Sequence, residues 1–101
     1  MIKIVNLSDL LKQPIGTLYW EYKPEIFYNM AIFMGQCGEL DFWNIPLDPE
    51  ILHNEGHDGD IVLADGITRW GCYDYSQLFA VADSDEVRDF IRVLRSPDDL
   101  L

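Results

Sequence analysis

Between Pro24 and Thr68 the chain contains no lysine and no arginine. The same block holds Glu25, Glu39, Asp41, Asp48, Glu50, Glu55, Asp58, Asp60 and Asp65, and the formal charge of the whole chain is −11. A surface so depleted of cations repels phosphate and anionic lipid, which argues against direct nucleic-acid or membrane binding. Basic protein surfaces are the partners that such a charge attracts. Long apolar runs are missing too: "MAIFM" and "LFAVA" fall far short of a membrane span. The opening "MIKIVNLSDLL" lacks the basic start and small-residue cleavage site of a secretory leader, so a cytosolic protein is expected. Cysteine is scarce. Cys37 and Cys72 form no CxxC pair, which removes a zinc knuckle and leaves two free, buried thiols as the expectation.

What is present is a foldable core. Three tryptophans, five tyrosines and five phenylalanines in 101 residues supply large apolar volumes for one domain. "IKIVN" has strand character, and "SDLLKQP" reads as a short helix with Ser8 as N-cap and Pro14 as its stop. In "IGTLYWEY" the alternation puts Leu18, Trp20 and Tyr22 on one face of a strand and Thr17, Tyr19 and Glu21 on the other. "FYNMAIFM" and "LDFWNI" are further strands separated by the turn residues "GQCG", and 46–59 reads as loop with one helical turn near "PEIL". "DIVLADGITRWGCY" reads as a hairpin around Asp65-Gly66. "QLFAVAD" leads into a helix capped by Asp83 and Glu86 and stopped at Ser96-Pro97, with Val87, Phe90, Ile91 and Leu94 on one stripe. The fold class expected is α+β: a twisted antiparallel sheet of five or six strands, with partial closure into a barrel as a variant. The C-terminal amphipathic helix packs on one face. An open sheet leaves an edge through which two copies could pair.

Motifs for chemistry are sparse. In "HNEGHDGD", His53 and His57 are four apart, but Gly56 and Gly59 make a helix that would align them unfavourable. Counted from Asp58, the sixth position of a calcium loop is Leu63 and the twelfth is Arg69, so that pattern fails as well. The stretch reads as a solvated loop, with no metal and no cofactor. Cys37 has no base nearby in sequence to activate it, Cys72 reads as a core residue in a strand, and no phosphate loop, dinucleotide fingerprint or nucleophile elbow occurs. No catalytic residue is expected.

The phrases "PIGTLYWEYKPEIF", "DFWNIPL" and "CYDYSQLFAVADSDEVRDFIRVL" are similar in order to small acidic proteins carried by bacteriophages and prophages. The matching residues are Pro14, Gly16, Thr17, Tyr22, Pro24, Asp41, Phe42, Trp43 and Gln77 to Val81. This resemblance implies a mobile-element origin, residence in the host bacterial cytosol and no assigned catalytic residue. It points to counter-defence inhibitors, of which anti-CRISPR proteins are the familiar kind. An inhibitor of that kind would cover the basic groove of a nucleic-acid-binding defence effector. Its contacts would come from Asp48, Glu50, Glu55, Asp58, Asp60, Asp65 and Asp74, with an exposed Trp43 or Trp70 as anchor. A toxin-immunity protein would use the same physics. The alternative is a pocket that sequesters a nucleotide-derived immune signal between Trp70, Tyr73 and Tyr75, with Arg69, the one base of the middle of the chain, at its phosphate.

Overall fold

The computed structural model describes residues 1–52, 56, 59–62, 66–72 and 74–101. Its elements run β1 (Ile2–Asn6), α1 (Leu7–Leu10), β2 (Thr17–Lys23), β3 (Ile26–Gln36), β4 (Phe42–Pro46), β5 (Glu50–Leu52), β6 (Asp60–Val62), β7 (Thr68–Arg69), β8 (Leu78–Ala82) and α2 (Ser84–Arg95), followed by a 3-10 turn over Pro97–Leu100. Six strands form one antiparallel sheet in the order β1-β8-β2-β3-β4-β7, and β5 pairs with β6 in a separate ribbon. The class is therefore α+β, and the sheet stays open between β1 and β7.

The alternation in β2 sets the two faces. Tyr19 and Glu21 are buried on the face that also carries Ala31, Phe33, Asn44, Phe79 and Val81, as their cross-strand pairings require. Leu7 and Leu10 of α1 close over this face and are fully enclosed. Phe42 is its centre: 0% exposed, it meets Tyr19, Phe33 and Phe79 at centroid distances of 5.7, 5.5 and 6.0 Å and stacks on Trp70 at 5.2 Å. The opposite face carries Leu18, Trp20, Tyr22, Phe27, Ile32 and Ile45, with Ile2 and Ile4 from β1. It is much less covered, and Ile2, Ile4, Phe27 and Leu78 are exposed.

Several local expectations change. α1 begins two residues earlier than expected, with Asn6 rather than Ser8 as cap, because the Asn6 side chain accepts from the Asp9 N–H at 2.8 Å. The segment "PEIL" enters strand β5, not a helical turn. The arms expected to pair around Asp65-Gly66 go to different partners, β6 to β5 and β7 to β4. Burial decides this. Taking β7 beside β4 lets Thr68 donate to Asn44 at 3.0 Å, lets the Trp70 N–H donate to the Phe42 carbonyl at 2.9 Å, and puts the Trp70 indole into the core. Asp65 itself lies outside the described residues. The thiols are free, but Cys37 is half-buried and Cys72 exposed rather than enclosed.

The Asp83 cap of α2 is present, accepting from the Glu86 N–H at 2.9 Å, and Asp83 and Glu86 also hold the N-terminal ammonium. Val87 lines a cleft with Leu18 and Ala82 on the less covered sheet face. Beyond that first turn the stripe is not enclosed, and no residue of α2 is buried.

Phe42→Ala would empty the centre of the aromatic cluster and is expected to destabilise the fold by about 3–5 kcal/mol. Urea denaturation followed by tryptophan fluorescence measures it, and a loss under about 1 kcal/mol would show that Phe42 is not the centre of packing.

Candidate functional site

A cleft of about 300 Å³ opens on the core face of the sheet, lined by residues of β2, β3, β4 and β7 and by the segment that follows β7. A β-bulge shapes it. Tyr19 pairs with Ala31 while Glu21 pairs with Tyr28, so β3 has one more residue than β2 over this stretch. Asn29, at φ 53°, takes the left-handed conformation that asparagine tolerates better than most residues. Its side-chain amide donates to one oxygen of Glu21, and the Trp70 indole N–H donates to the other at 2.9 Å. Glu21, only 6% exposed, is thus oriented by two neutral donors at the floor of the cleft.

Next to it, the Asn44 amide donates to the Tyr19 hydroxyl at 2.8 Å while the Asn44 carbonyl accepts from Thr68. Burial pushes the Tyr19 phenol well above its usual range, so it stays neutral at any physiological pH.

Asp41 locks the far wall. One of its oxygens accepts the backbone N–H of Phe42 at 2.8 Å and that of Gly71 at 2.9 Å, and the other accepts both Nε and an Nη of Arg69 at 3.0 and 2.8 Å. Gly71, at φ 62°, supplies the left-handed residue that follows the core Trp70. Burial pushes the Asp41 carboxyl up, but the two backbone N–H groups and the guanidinium together outweigh it and hold the group below the usual aspartate value. For the Cys72 thiol at the rim, burial leads and the charges of Glu21, Asp41 and Asp74 add to it, raising its pKa. That disfavours a thiolate there.

The residues singled out from sequence are dispersed. Asp48 lines the cleft and is exposed; Asp74 is exposed, with its carboxylate accepting from the Ser76 backbone and hydroxyl at 3.1 and 2.7 Å. Trp43 is 40% exposed on the opposite sheet face. Trp70 is no exposed anchor: it is a core residue, drawn inward by the stack on Phe42 and the Glu21 carboxylate. Arg69 and Trp70 both line the cleft, but Tyr75, 60% exposed, does not. Glu50 and Asp60 stand at opposite ends of the β5–β6 ribbon, Glu50 paired with Val62 and Asp60 with Leu52. Glu55, Asp58, Asp65 and Tyr73, like His53 and His57, lie outside the described residues. Among the described residues no group of three or more His, Cys, Asp or Glu is placed to hold a metal ion, and no helix is long and apolar enough to cross a membrane.

Sequence reasoning missed Glu21 and Asp41 as organisers of this region. No sequence signal marked Glu21, because the alternation groups it with Thr17 and Tyr19 on the less apolar face of β2. The chain matches no protein-family model, no curated protein and no solved structure.

Asp41→Asn puts an amide where two N–H donors and a guanidinium converge, and about 2–4 kcal/mol of stability should be lost at neutral pH. The folded carboxyl keeps its charge to lower pH than the unfolded one, so its contribution is complete above the ordinary aspartate pKa of about 3.9 and declines as pH falls through the lowered value. Denaturation curves of wild type and variant should accordingly converge in acid. A gap that stays constant down to the acid transition would show that the charge of Asp41 is not what matters.

Proposed function

We propose that this chain is a non-enzymatic inhibitor whose acidic face occupies the basic, nucleic-acid-binding surface of a host defence protein, in the manner of phage counter-defence proteins. The observation that carries the reading is the position of Arg69. It is the one base between Pro24 and Val87, and its guanidinium is committed to Asp41 within the fold. The one arginine of the block is thus set against a carboxylate of the same block, its guanidinium half exposed, and the other carboxylates of the block outnumber it. Among the described residues Glu25, Glu39, Asp48 and Asp74 are exposed and form no ion pair. Carboxylates held out this way present the charge that a phosphate backbone presents, and they steer a basic groove into contact at long range. Trp43, the exposed aromatic expected as an anchor, lies on the sheet face opposite the cleft and so away from Asp48.

The sequestering alternative finds less support. Arg69 engages Asp41, Trp70 is packed in the core, and Tyr75 stands apart from the cleft. A phosphate entering the cleft would also meet Glu21 and Asp48.

Native mass spectrometry of the protein drawn from a host lysate at low salt should show a basic protein bound in simple stoichiometry. Its affinity should fall steeply as salt rises. In the purified complex, Asp48→Lys with Asp74→Lys should slow association at least tenfold and change dissociation much less. Binding that ignores both salt and these charge reversals would refute the reading, and a small mass excess without a protein partner would favour the sequestering one.

A further inference from the structure

The bonds around the cleft on the core face also decide what it can receive. Its main donors are spent inside the fold. The Trp70 indole donates to Glu21, the Thr68 hydroxyl to Asn44, the Asn44 amide to Tyr19, and Arg69 gives two N–H groups to Asp41. Acceptors remain. A carboxylate offers about four acceptor sites. Glu21 fills one on each oxygen, from the Asn29 amide and the Trp70 indole. It is only 6% exposed, and among the described residues no lysine or arginine pairs with it. Neutral donors alone leave an enclosed carboxylate without the counter-charge that usually accompanies burial. Asp48 adds a second carboxylate to the lining, exposed and also in no ion pair among the described residues. Asp41 answers the charge of Arg69, so Glu21 and Asp48 set the sign of the space.

We propose that this cleft is a binding site for a guanidinium group on an alkyl stem, with Glu21 as its counter-ion at the floor and Asp48 beside its path of entry. One acceptor site left on each Glu21 oxygen matches the paired N–H groups of a planar fork. An ammonium would bring a strongly hydrated point charge, whereas a guanidinium gives up water more readily on entering an enclosed pair. Size agrees, since about 300 Å³ is the small end of ligand sites and suits one long side chain better than a nucleotide. A metal ion is not served, because among the described residues no three ligating side chains converge. Two sources carry this chemistry: an arginine side chain of the basic partner proposed above, or a free guanidino compound. The first rests on the inhibitor reading and gives it an enclosed arginine as anchor, a residue that often dominates interfaces. The second does not need that reading.

Titration of the 15N-labelled full chain with Nα-acetylarginine amide, followed by NMR, tests the site without any partner. The Trp70 indole N–H and Asn29 side-chain amide signals should shift and saturate, since both groups bond to Glu21. Nα-acetylcitrulline amide, of the same shape without the charge, and Nα-acetyllysine amide should each bind about tenfold more weakly. Glu21→Gln keeps the shape and an acceptor for Trp70, and it should weaken the arginine amide about tenfold. Asp48→Asn changes an exposed side chain outside the core and should weaken it about threefold with unchanged circular dichroism, which keeps the test open if the Glu21 variant unfolds. An arginine amide that binds no more tightly than the citrulline or lysine one, or equally well to wild type and variants, overturns the proposal even where a salt-dependent protein complex exists. If no protein partner exists, the inhibitor reading fails while the binding of the arginine amide stands. A partner complex in which the amide no longer shifts Trp70 assigns the arginine side chain as the source, and one in which it still does assigns the free compound.

Discussion

The carboxylate of Asp41 is the constraint on which the arrangement of this molecule depends. It stands where β4 begins and accepts from Phe42, Gly71 and Arg69, so it fixes the start of one strand and the exit of another with a single group. With that join made, Trp70 has one place to go, flat against Phe42. The stack seals the core at the end of the sheet that α1 does not reach. The same bond withdraws a cation from the acidic block. Packing at the sheet edge and the electrostatic character of the surface are therefore one choice made at Asp41 and Arg69, not two. A buried aspartate would be costly alone, and it is tolerated because backbone N–H groups and a half-exposed guanidinium complete its hydrogen bonding.

Much of the fold was legible because local chemistry and tertiary demand agree. The alternation of "TLYWEYK" separated the two faces of β2, Thr17, Tyr19 and Glu21 against Leu18, Trp20 and Tyr22, without telling which of them the core would take. Asp83 and Glu86 marked the start of α2, and Ser96-Pro97 its end. The sheet was read as antiparallel because its strands are short and separated by turns. The hairpin at Asp65-Gly66 failed for an instructive reason. A turn signal says that the chain can reverse; it does not say which strand will receive the second arm. Here Asn44 and Phe42 offer that arm hydrogen bonds and a buried aromatic, and those outweigh proximity in sequence.

The region of the cleft was legible only in part. Asp48, Arg69 and Trp70 were singled out and do gather there, but the roles differ from those expected, since charge and aromaticity were read without burial. Nothing in the sequence distinguishes an arginine turned to solvent from one folded onto an aspartate 28 positions away. Nor does composition reveal that Glu21 is enclosed, because that depends on a bulge opposite it and on an asparagine in an unusual conformation.

The two faces of the sheet divide the work in a way that a single open sheet of this size makes natural. One face is closed by α1 and by the segment following β7, and its remaining opening is polar, acidic and ordered by hydrogen bonds. The other is apolar and half-open, next to a helix whose own apolar stripe is exposed. Burying a sheet on both sides needs more chain than about a hundred residues usually provide once a large fraction is held in turns. Excluding bases from the middle of the sequence keeps the opening on the core face acidic. The arginines collected on α2 do not reverse that sign elsewhere, because Arg88 and Arg92 are set against Asp85 and Asp89 within the helix itself.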